Sequence, residues 1–593
     1  MSILSFFRPT SGRLENLTED ELKKAMAKQS ESRLLIPCLL LGLGLLLVVA
    51  GVTFFFVLDP FIRSQVEKKM IVSPKSETYD VWQNVPIPVY MQFYVFNVTN
   101  VEEVLAGEKP YLTQWGPYTY RERREKFNIV WNPNGTVTYK QNRTFHFIPE
   151  MSKGSETDMI TTVNPLLPVI AENIKWLPSA VKDIMTTFLQ VGLKENLFFT
   201  RPVKDILWGY DDPALKMLQK ILPSWFTRTN IGYFIRKNYT DDGVYTIMTG
   251  ATNINLLGII TEYNGRSHLD IWTSRWANMV NGSDGTLGPP FRFSDQYTPV
   301  FVSDICRSIR GLYYEDVQVK GITVRRYGGD RYDMANATVN PDNIGFCTPR
   351  SKCLPTGLLN STLCQEPVDK FHLPIIFSFP HFLYADPAVQ DSVWGLAPTV
   401  KEHQTVIDKE PWTGLALRVA NRLQINIFVE QVQGIPQTAK VRKLFFPILW
   451  INESSVTDDK HANMLKTELF LPMKIAKIGR VVVLAIGALI IVASVALLIR
   501  RQRKIAKLKY AIDLARVNST GSEGAPVTTR GSNRLFHDPV NTPFTPTVRV
   551  SPRSTQSRAT SYGSFQSSGG DSLHSLPDSD TASTTNLLNN HDQ

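Results

Sequence analysis

Two stretches of the chain lack any alternation of polar and apolar positions. Residues 34–58 (LLIPCLLLGLGLLLVVAGVTFFFVL) run for 25 positions without a charge, and residues 481–499 (VVVLAIGALIIVASVALLI) for 19. As helices they reach about 37 and 28 Å, enough to cross a hydrocarbon core of about 30 Å; a buried core helix suits apolar runs of about 10 to 14 residues. The first run is too long for a signal-peptide core of about 7 to 15 residues, and no small-residue cleavage site follows it. Its next residues are Asp59, Pro60 and Phe61. Both runs therefore read as uncleaved transmembrane helices.

Between the anchors the pattern changes to period two. In VYMQFYVFNV, Val89, Met91, Phe93 and Val95 fall on one face of a strand. WGPYTYRERREKFNIVW and GTVTYKQNRTFHFIP predict an antiparallel hairpin joined through NPNG. Further strands are predicted at GVYTIMTG, SHLDIWT, GITVRRY, LPIIFSF, LQINIFVEQV and FFPILWI. One helical region, from about 166 to 193, interrupts them. There Val181, Ile184, Met185, Phe188 and Leu189 follow i, i+3, i+4, i+7, i+8 spacing and line one face, which reads first as a core-facing stripe. Leu166, Leu167, Ile170, Trp176 and Leu177, interrupted by Pro168 and Pro178, are expected to add exposed apolar surface for a lipid or a partner.

The ends differ again. LTEDELKKAMAKQ places acidic residues first and lysines last, as a helix dipole prefers. From about Asn518 the tail is rich in Ser, Thr, Gly and Pro and too poor in large apolar residues to bury a core, so disorder is expected. Thr542-Pro543, Thr545-Pro546 and Ser551-Pro552 have the form of phosphorylation sites. Tyr562–Phe565 and Leu587-Leu588 have that of loose sorting signals.

Charge orients the anchors. Arg500, Arg501, Arg503, Lys504, Lys507 and Lys509 follow the second run, against Lys474, Lys477 and Arg480 before it, so the C-terminus is expected in the cytosol. Two spans put the N-terminus there too, in keeping with Lys23, Lys24, Lys28 and Arg33. The organisation is then a cytosolic tail (1–33), transmembrane helix 1 (34–58), an exoplasmic ectodomain (59–480), transmembrane helix 2 (481–499) and a disordered cytosolic tail (500–593). Of the net charge of +10, the C-terminal tail supplies 12 basic against 7 acidic residues and the N-terminal tail 6 against 5. More than half of the excess thus faces anionic lipid in the cytosol, and the basic balance carries no argument for nucleic acid.

Four of the five cysteines, Cys306, Cys347, Cys353 and Cys364, fall close together in the ectodomain; Cys38 lies in the first span. An even set in an oxidising compartment reads as two disulfides with three possible connectivities. Zinc is the weaker reading, because no histidine lies among them. Eight N-x-S/T sequons lie in the ectodomain: Asn97, Asn134, Asn142, Asn238, Asn281, Asn336, Asn360 and Asn452. Ten occur in all, and the ectodomain holds about 71% of the residues, so their distribution permits the topology without arguing for it. No HExxH, GxSxG, P-loop or GxGxxG stands in a suitable context, and the histidines are scattered. An enzyme, a cofactor and a metal site are not expected.

Nine segments, in order and flanked by both anchors, resemble the class B scavenger receptor family, which includes the fatty-acid translocase and lysosomal integral membrane protein types. They are GPYTYRERREK (116–126), ILWGYDDP (206–213), ANMVNGSDG (277–285), SDICRSI (303–309), DNIGFCTP (342–349), FPHFLYADP (379–387), EHQTVID (402–408), ANRLQINIFV (420–429) and FPILWINES (446–454). The resemblance implies an α+β membrane protein: an antiparallel β-barrel-like ectodomain, an apical helical bundle at about 164–225, and two transmembrane helices. It implies a cell-surface receptor for lipoproteins, small apolar lipids and protein ligands. Fatty acids, sterols or sterol esters would pass through a tunnel in its ectodomain. It places Val181, Ile184, Met185 and Phe188 at the apex, and matches Lys194 to a lysine of a cationic apex. Gly192 and Glu195 depart from that pattern and weaken recognition of anionic lipoproteins. The family pairing implies disulfides Cys306–Cys364 and Cys347–Cys353. A third bridge of some relatives is absent at both partners, Ala277 and Gly345. A lysosomal or endosomal receptor that traffics a hydrolase is the alternative within the fold. A two-span ligand-gated channel is the alternative of another class, with similar topology but generally more ectodomain cysteines.

Overall fold

Strand alternation at residues 89–98 yields Val89–Val98. Met91, Phe93 and Val95 are buried on one face as the alternation predicts, and Phe96 and Val98 are buried as well, so the far half of the strand is covered on both faces. A register shift between Phe93 and Val95 puts an extra residue on the partner strand, between Trp115 and Tyr118. In this computed structural model residues 18–31, 34–76, 78–174, 178–187, 196–365, 371–432 and 435–520 are described. Met1–Arg516 form one unit and Val517–Gln593 a second; the architecture below is that of the first.

Val89–Val98 belongs to a 13-stranded antiparallel sheet. Along the sheet the order is Tyr297–Val302, Arg307–Val319, Ile322–Gly328, Val406–Lys409, Ala416–Val429, Leu444–Val456, Val89–Val98, Leu112–Trp131, Thr136–Phe147, Thr240–Met248 and Ile260–Tyr263. The predicted hairpin is the pair Leu112–Trp131 and Thr136–Phe147. The path nearly closes on itself, and the NGSDG segment bridges its ends. Ile260 donates its N–H to the Gly282 carbonyl at 2.8 Å, and Phe301 donates to the Ser283 carbonyl at 2.9 Å. Gly282 holds φ +114°, and a Cβ there would lie 2.6 Å from the Val300 nitrogen, so only glycine passes between the strands. Closure removes the open edges that a sheet otherwise exposes.

SHLDIWT does not form a strand. The Asn278 carbonyl oxygen accepts from the N–H groups of Ile271 (3.1 Å) and Trp272 (2.8 Å), so a side chain takes the place of a neighbouring strand. The helical region is two helices, Leu166–Asn173 and Ser179–Thr187. Pro168 lies inside the first, in its opening turn, where a missing N–H costs nothing. Leu166, Leu167 and Ile170, expected at the surface, are 2%, 1% and 2% exposed and belong to the main core, because this helix plugs one end of the barrel. Trp176 and Leu177 lie outside the described residues.

The two long apolar runs form helices Leu35–Met70 and Leu471–Thr520, the latter continuous with Asp459–Leu465 through a π-helical turn, Lys466–Phe470. They touch at glycines: a Cβ on Gly44 would lie 3.1 Å from the Gly487 carbonyl oxygen, and one on Gly51 would meet Leu484 at 2.6 Å. Asp59 and Arg480 pair at 3.8 Å, so both apolar runs end at one level. On the opposite side Leu22 of helix Glu19–Glu31 is fully buried against Leu508 and Ile512. Disulfides join Cys306 to Cys364 and Cys347 to Cys353; Cys38 is free.

Candidate functional site

Val89 pairs with Ser455 at one end of the barrel, and the helix Asp459–Leu465 begins three residues after the strand that holds Ser455. That end faces the two long helices. At the other end Asn97 accepts from the Thr161 N–H at 2.8 Å, beneath the Leu166–Asn173 helix. The barrel interior between these ends holds two cavities.

The distal cavity, about 60 Å³, is walled by Met91, Phe145, Phe234, Phe377, Leu423 and Ile451. The proximal one is larger, about 180 Å³, with Val89, Tyr139, Val300, Ile407 and Val419 on its walls and Val85, Thr286 and Thr457 among its lining. Arg143, Asp304, Asn421 and Glu453 line both, so a charged collar separates two mostly apolar chambers.

Strand register builds the collar. Arg124 and Arg143 are direct cross-strand partners, a like-charge pairing that destabilises a sheet unless something neutralises it. Glu122, 1% exposed, does so: one carboxylate oxygen accepts from Arg124 Nε at 2.7 Å and from Arg143 Nε at 2.8 Å. Glu453 pairs with Arg124 and lies 3.8 Å from Arg143. Asp304 lies 3.4 Å from Arg143 and 4.0 Å from Lys237. Burial alone would raise the Glu122 carboxyl, but Arg124 and Arg143 outweigh it and hold it below the usual carboxylate value. Asp304 follows the same pattern, with burial overcome by Arg143 and Lys237. At Asp242, which accepts from Gln141 at 3.2 Å, burial wins and the carboxyl is raised. Burial would likewise lower the Arg143 guanidinium, yet Glu122, Asp304 and Asp242 raise it. In the collar Glu122, Asp304 and Arg143 are thus each biased toward the charged form, while the Asp242 carboxyl beside them is biased toward the neutral one.

Sequence reasoning passed over Glu122, Arg124, Arg143, Asp304 and Glu453. Tyr-Arg-Glu-Arg-Arg-Glu-Lys has polar residues at every position from 121 to 126, so period-two patterning offers no inward face. Of the apical candidates, Val181 and Ile184 line neither chamber. Val181 is half-buried against the main core and Ile184 is 40% exposed on the same helix, which also contains Met185. Phe188 and Lys194 lie outside the described residues. Among the sequons, Asn134 is exposed at the NPNG turn and Asn281 is exposed. Asn238 is tied on both side-chain atoms to the Phe145 backbone (2.9 and 3.2 Å). Asn452 donates to Gln92 at 2.8 Å, and Asn336 to the Leu354 carbonyl at 2.7 Å. Asn142 and Asn360 lie half-buried in strands.

Comparison with known proteins matches residues 42–498 to the CD36 family. Scavenger receptor class B member 1 of Cricetulus griseus is 34% identical over 462 residues, covering 78% of this chain and 89% of that protein. The Rattus norvegicus protein of the same name is 34% identical over 463 residues, with the same coverage. Lysosome membrane protein 2 of Homo sapiens is 36% identical over 451 residues, covering 75% of this chain and 91% of its own length.

Proposed function

The chain belongs to the CD36 family, and from that premise we propose that it is a two-span scavenger receptor. In this reading it binds lipoproteins and lipids outside the cell and passes fatty acids, sterols or sterol esters to the bilayer through the barrel. Both termini are cytosolic, residues 59–480 are exoplasmic, and the usable sequons of that region carry glycans. The observation that carries the reading is the pair of apolar chambers stacked along the barrel, the larger at the end that faces both membrane helices. An apolar solute crosses water poorly, and an apolar conduit removes that desolvation barrier without covalent chemistry or a nucleotide. The collar between the chambers makes passage conditional: an apolar chain moves on only when the ion pairs part. Ligand capture belongs at the apex, with Val181, Ile184, Met185, Phe188 and Lys194 as contacts.

The test is uptake of labelled fatty acid, cholesteryl ester and lipoprotein particle by cells expressing the chain, with surface delivery measured alongside. Ala416→Trp, which fills the proximal chamber, should abolish lipid uptake and leave particle binding intact; Ile184→Asp should weaken binding. Equal uptake by wild type and Ala416→Trp at equal surface level would refute passage through the barrel. The match to lysosome membrane protein 2 supports a second reading, residence in endosomal or lysosomal membranes as a trafficking receptor for a hydrolase. Steady-state location of the full chain separates the two.

A further inference from the structure

Next to the bilayer an aromatic cluster bridges the two membrane helices without belonging to either. Phe291 and Phe293 come from the loop before strand Tyr297–Val302, and Trp412 from the turn between Val406–Lys409 and Ala416–Val429. The Phe293 and Trp412 ring centres are 5.0 Å apart at 75°, and Phe291 lies 6.2 Å from Trp412. Each helix sends a cation onto the cluster. The Arg63 guanidinium lies 4.8 Å from the Phe291 ring centre and 5.9 Å from that of Phe293, and Lys477 Nζ lies 6.0 Å from Trp412.

Depth follows from helix geometry. Asp59 and Arg480, paired at 3.8 Å, mark the outer ends of the apolar runs. Arg63 is four residues beyond Asp59 and Lys477 three before Arg480, so the cations stand about 4–6 Å above the hydrocarbon. The headgroup layer on each side of a bilayer is about 5–7 Å thick, and aromatic rings collect there because one part is apolar and the other tolerates water. The cluster therefore falls within that layer rather than above it.

The loop is held in place rather than free to fold away. Arg325 donates to the Phe293 carbonyl at 2.5 Å and to the Asp295 carbonyl at 3.2 Å, and Arg292 donates to the Asn255 carbonyl at 3.1 Å. Phe291 is fixed at φ +62°, a conformation that a bulky residue rarely adopts. Phe293 is nonetheless 38% exposed, and Leu256, beside the Asn255 carbonyl that Arg292 binds, is 40% exposed. A strained, pinned loop that shows a phenyl ring to solvent beside two membrane helices has an obvious neighbour of matching chemistry, the headgroup layer.

We propose that Phe291, Phe293 and Trp412 form a ledge that rests in the outer headgroup layer, with the bilayer itself as the docking partner. The ledge holds the proximal end of the barrel down on the lipid surface, so that a solute leaving the chamber does not cross a gap of water. The site is distinct from the apical surface and from the barrel lumen, and its depth is measurable without any transport assay.

The experiment uses the full-length protein in phosphatidylcholine nanodiscs, with Cys38→Ser removing the one free thiol. A spin label is placed at Phe293→Cys, at Leu256→Cys on the same loop system, and at Met159→Cys near the distal end of the barrel as a reference. Collision with a water-soluble nickel chelate and with oxygen, which concentrates in lipid, reads the depth of each label. The ledge predicts that the 293 label is several-fold less accessible to the chelate and more accessible to oxygen than the 159 label, with 256 between them. Chelate access at 293 and 256 equal to that at 159 would overturn it. Labelled protein that retains wild-type thermal unfolding is the condition for reading each site, and a label at Phe291→Cys, a second ledge position with the same expected depth as 293, keeps the test decisive if the 293 variant misfolds.

Discussion

Replacing Glu122 tests the collar most directly, because one of its carboxylate oxygens serves both opposed arginines. Glu122→Gln keeps a carbonyl oxygen in that place and removes only the charge. Breaking one side of a buried ion pair costs about 3–5 kcal/mol, since the remaining charges are left buried and uncompensated. Arg124 keeps Glu453, and Arg143 keeps Asp304 and Glu453, which places Glu122→Gln at the low end, about 3 kcal/mol. Glu122→Ala also forfeits two hydrogen bonds at about 1 kcal/mol each and should cost about 5 kcal/mol. Urea unfolding of the full-length protein in detergent, followed by tryptophan fluorescence, measures both. A pH series adds a second readout. Glu122 and Asp304 titrate below the ordinary carboxylate range in the folded protein. Their contribution is therefore complete above that range and lost as pH falls through the lower folded values. Acidification from pH 7 to 5 should leave the collar closed, and Glu122→Gln should flatten part of the loss at lower pH. Both variants lying within about 0.5 kcal/mol of wild type, the usual size of a surface effect, would refute the collar as a buried network.

Two further outcomes are expected. Burial pushes the Asp333 carboxyl from 3.8 up to about 6, so its stabilising contribution is complete below the ordinary value and is lost as pH rises through about 6. Asp333→Asn, whose carbonyl still accepts from the Asp330 N–H, should stabilise the protein by about 3 kcal/mol at pH 7 and not at all below about pH 4; equal gains at both pH values would contradict this. A Cβ on Gly345 would lie 2.9 Å from the Ala277 Cβ, slightly inside the usual disulfide separation of about 3.5–4.5 Å. Ala277→Cys with Gly345→Cys should therefore close a third bridge once the Ser274 side chain, whose Oγ stands against that Cβ, turns aside, seen as a cross-linked peptide on non-reducing digestion. Two free thiols instead would show that this turn is forbidden.

What could be read from the sequence followed the physics of each segment. Val89–Val98, Ile322–Gly328, Ala416–Val429 and Leu444–Val456 were legible as strands because β-branched and aromatic residues recur along them between polar ones, although Gln424–Ile427 and Phe446–Trp450 are buried on both faces. The bulge that Leu112–Trp131 makes opposite Phe93–Val95 was not, since nothing in alternating apolar residues marks where a register slips. SHLDIWT misled because the alternation was real but its backbone found Asn278 before any strand. Leu166, Leu167 and Ile170 read as surface because a prolyl break suggested a loose helix, and only the closed barrel reveals an end that needs a plug. The collar was hidden for the opposite reason: a run of six polar residues looks solvated unless the register opposite Thr136–Phe147 is known. The spans were legible throughout, because in lipid no partner is needed to explain an uncharged helix.

The barrel also sets a clock. Val89–Val98 completes its pairing only with Leu444–Val456, and Gln92 meets Asn452 across 360 residues of chain. At about 5–20 residues per second of synthesis, the first strand waits about 20 to 70 s with one edge unpaired before its neighbour exists. Throughout that interval the partly built wall offers a template for any extended segment nearby. A newborn chain must therefore be shielded along that edge until residue 456 has emerged, and a ribosome stalled before then leaves a wall that no later local folding can close.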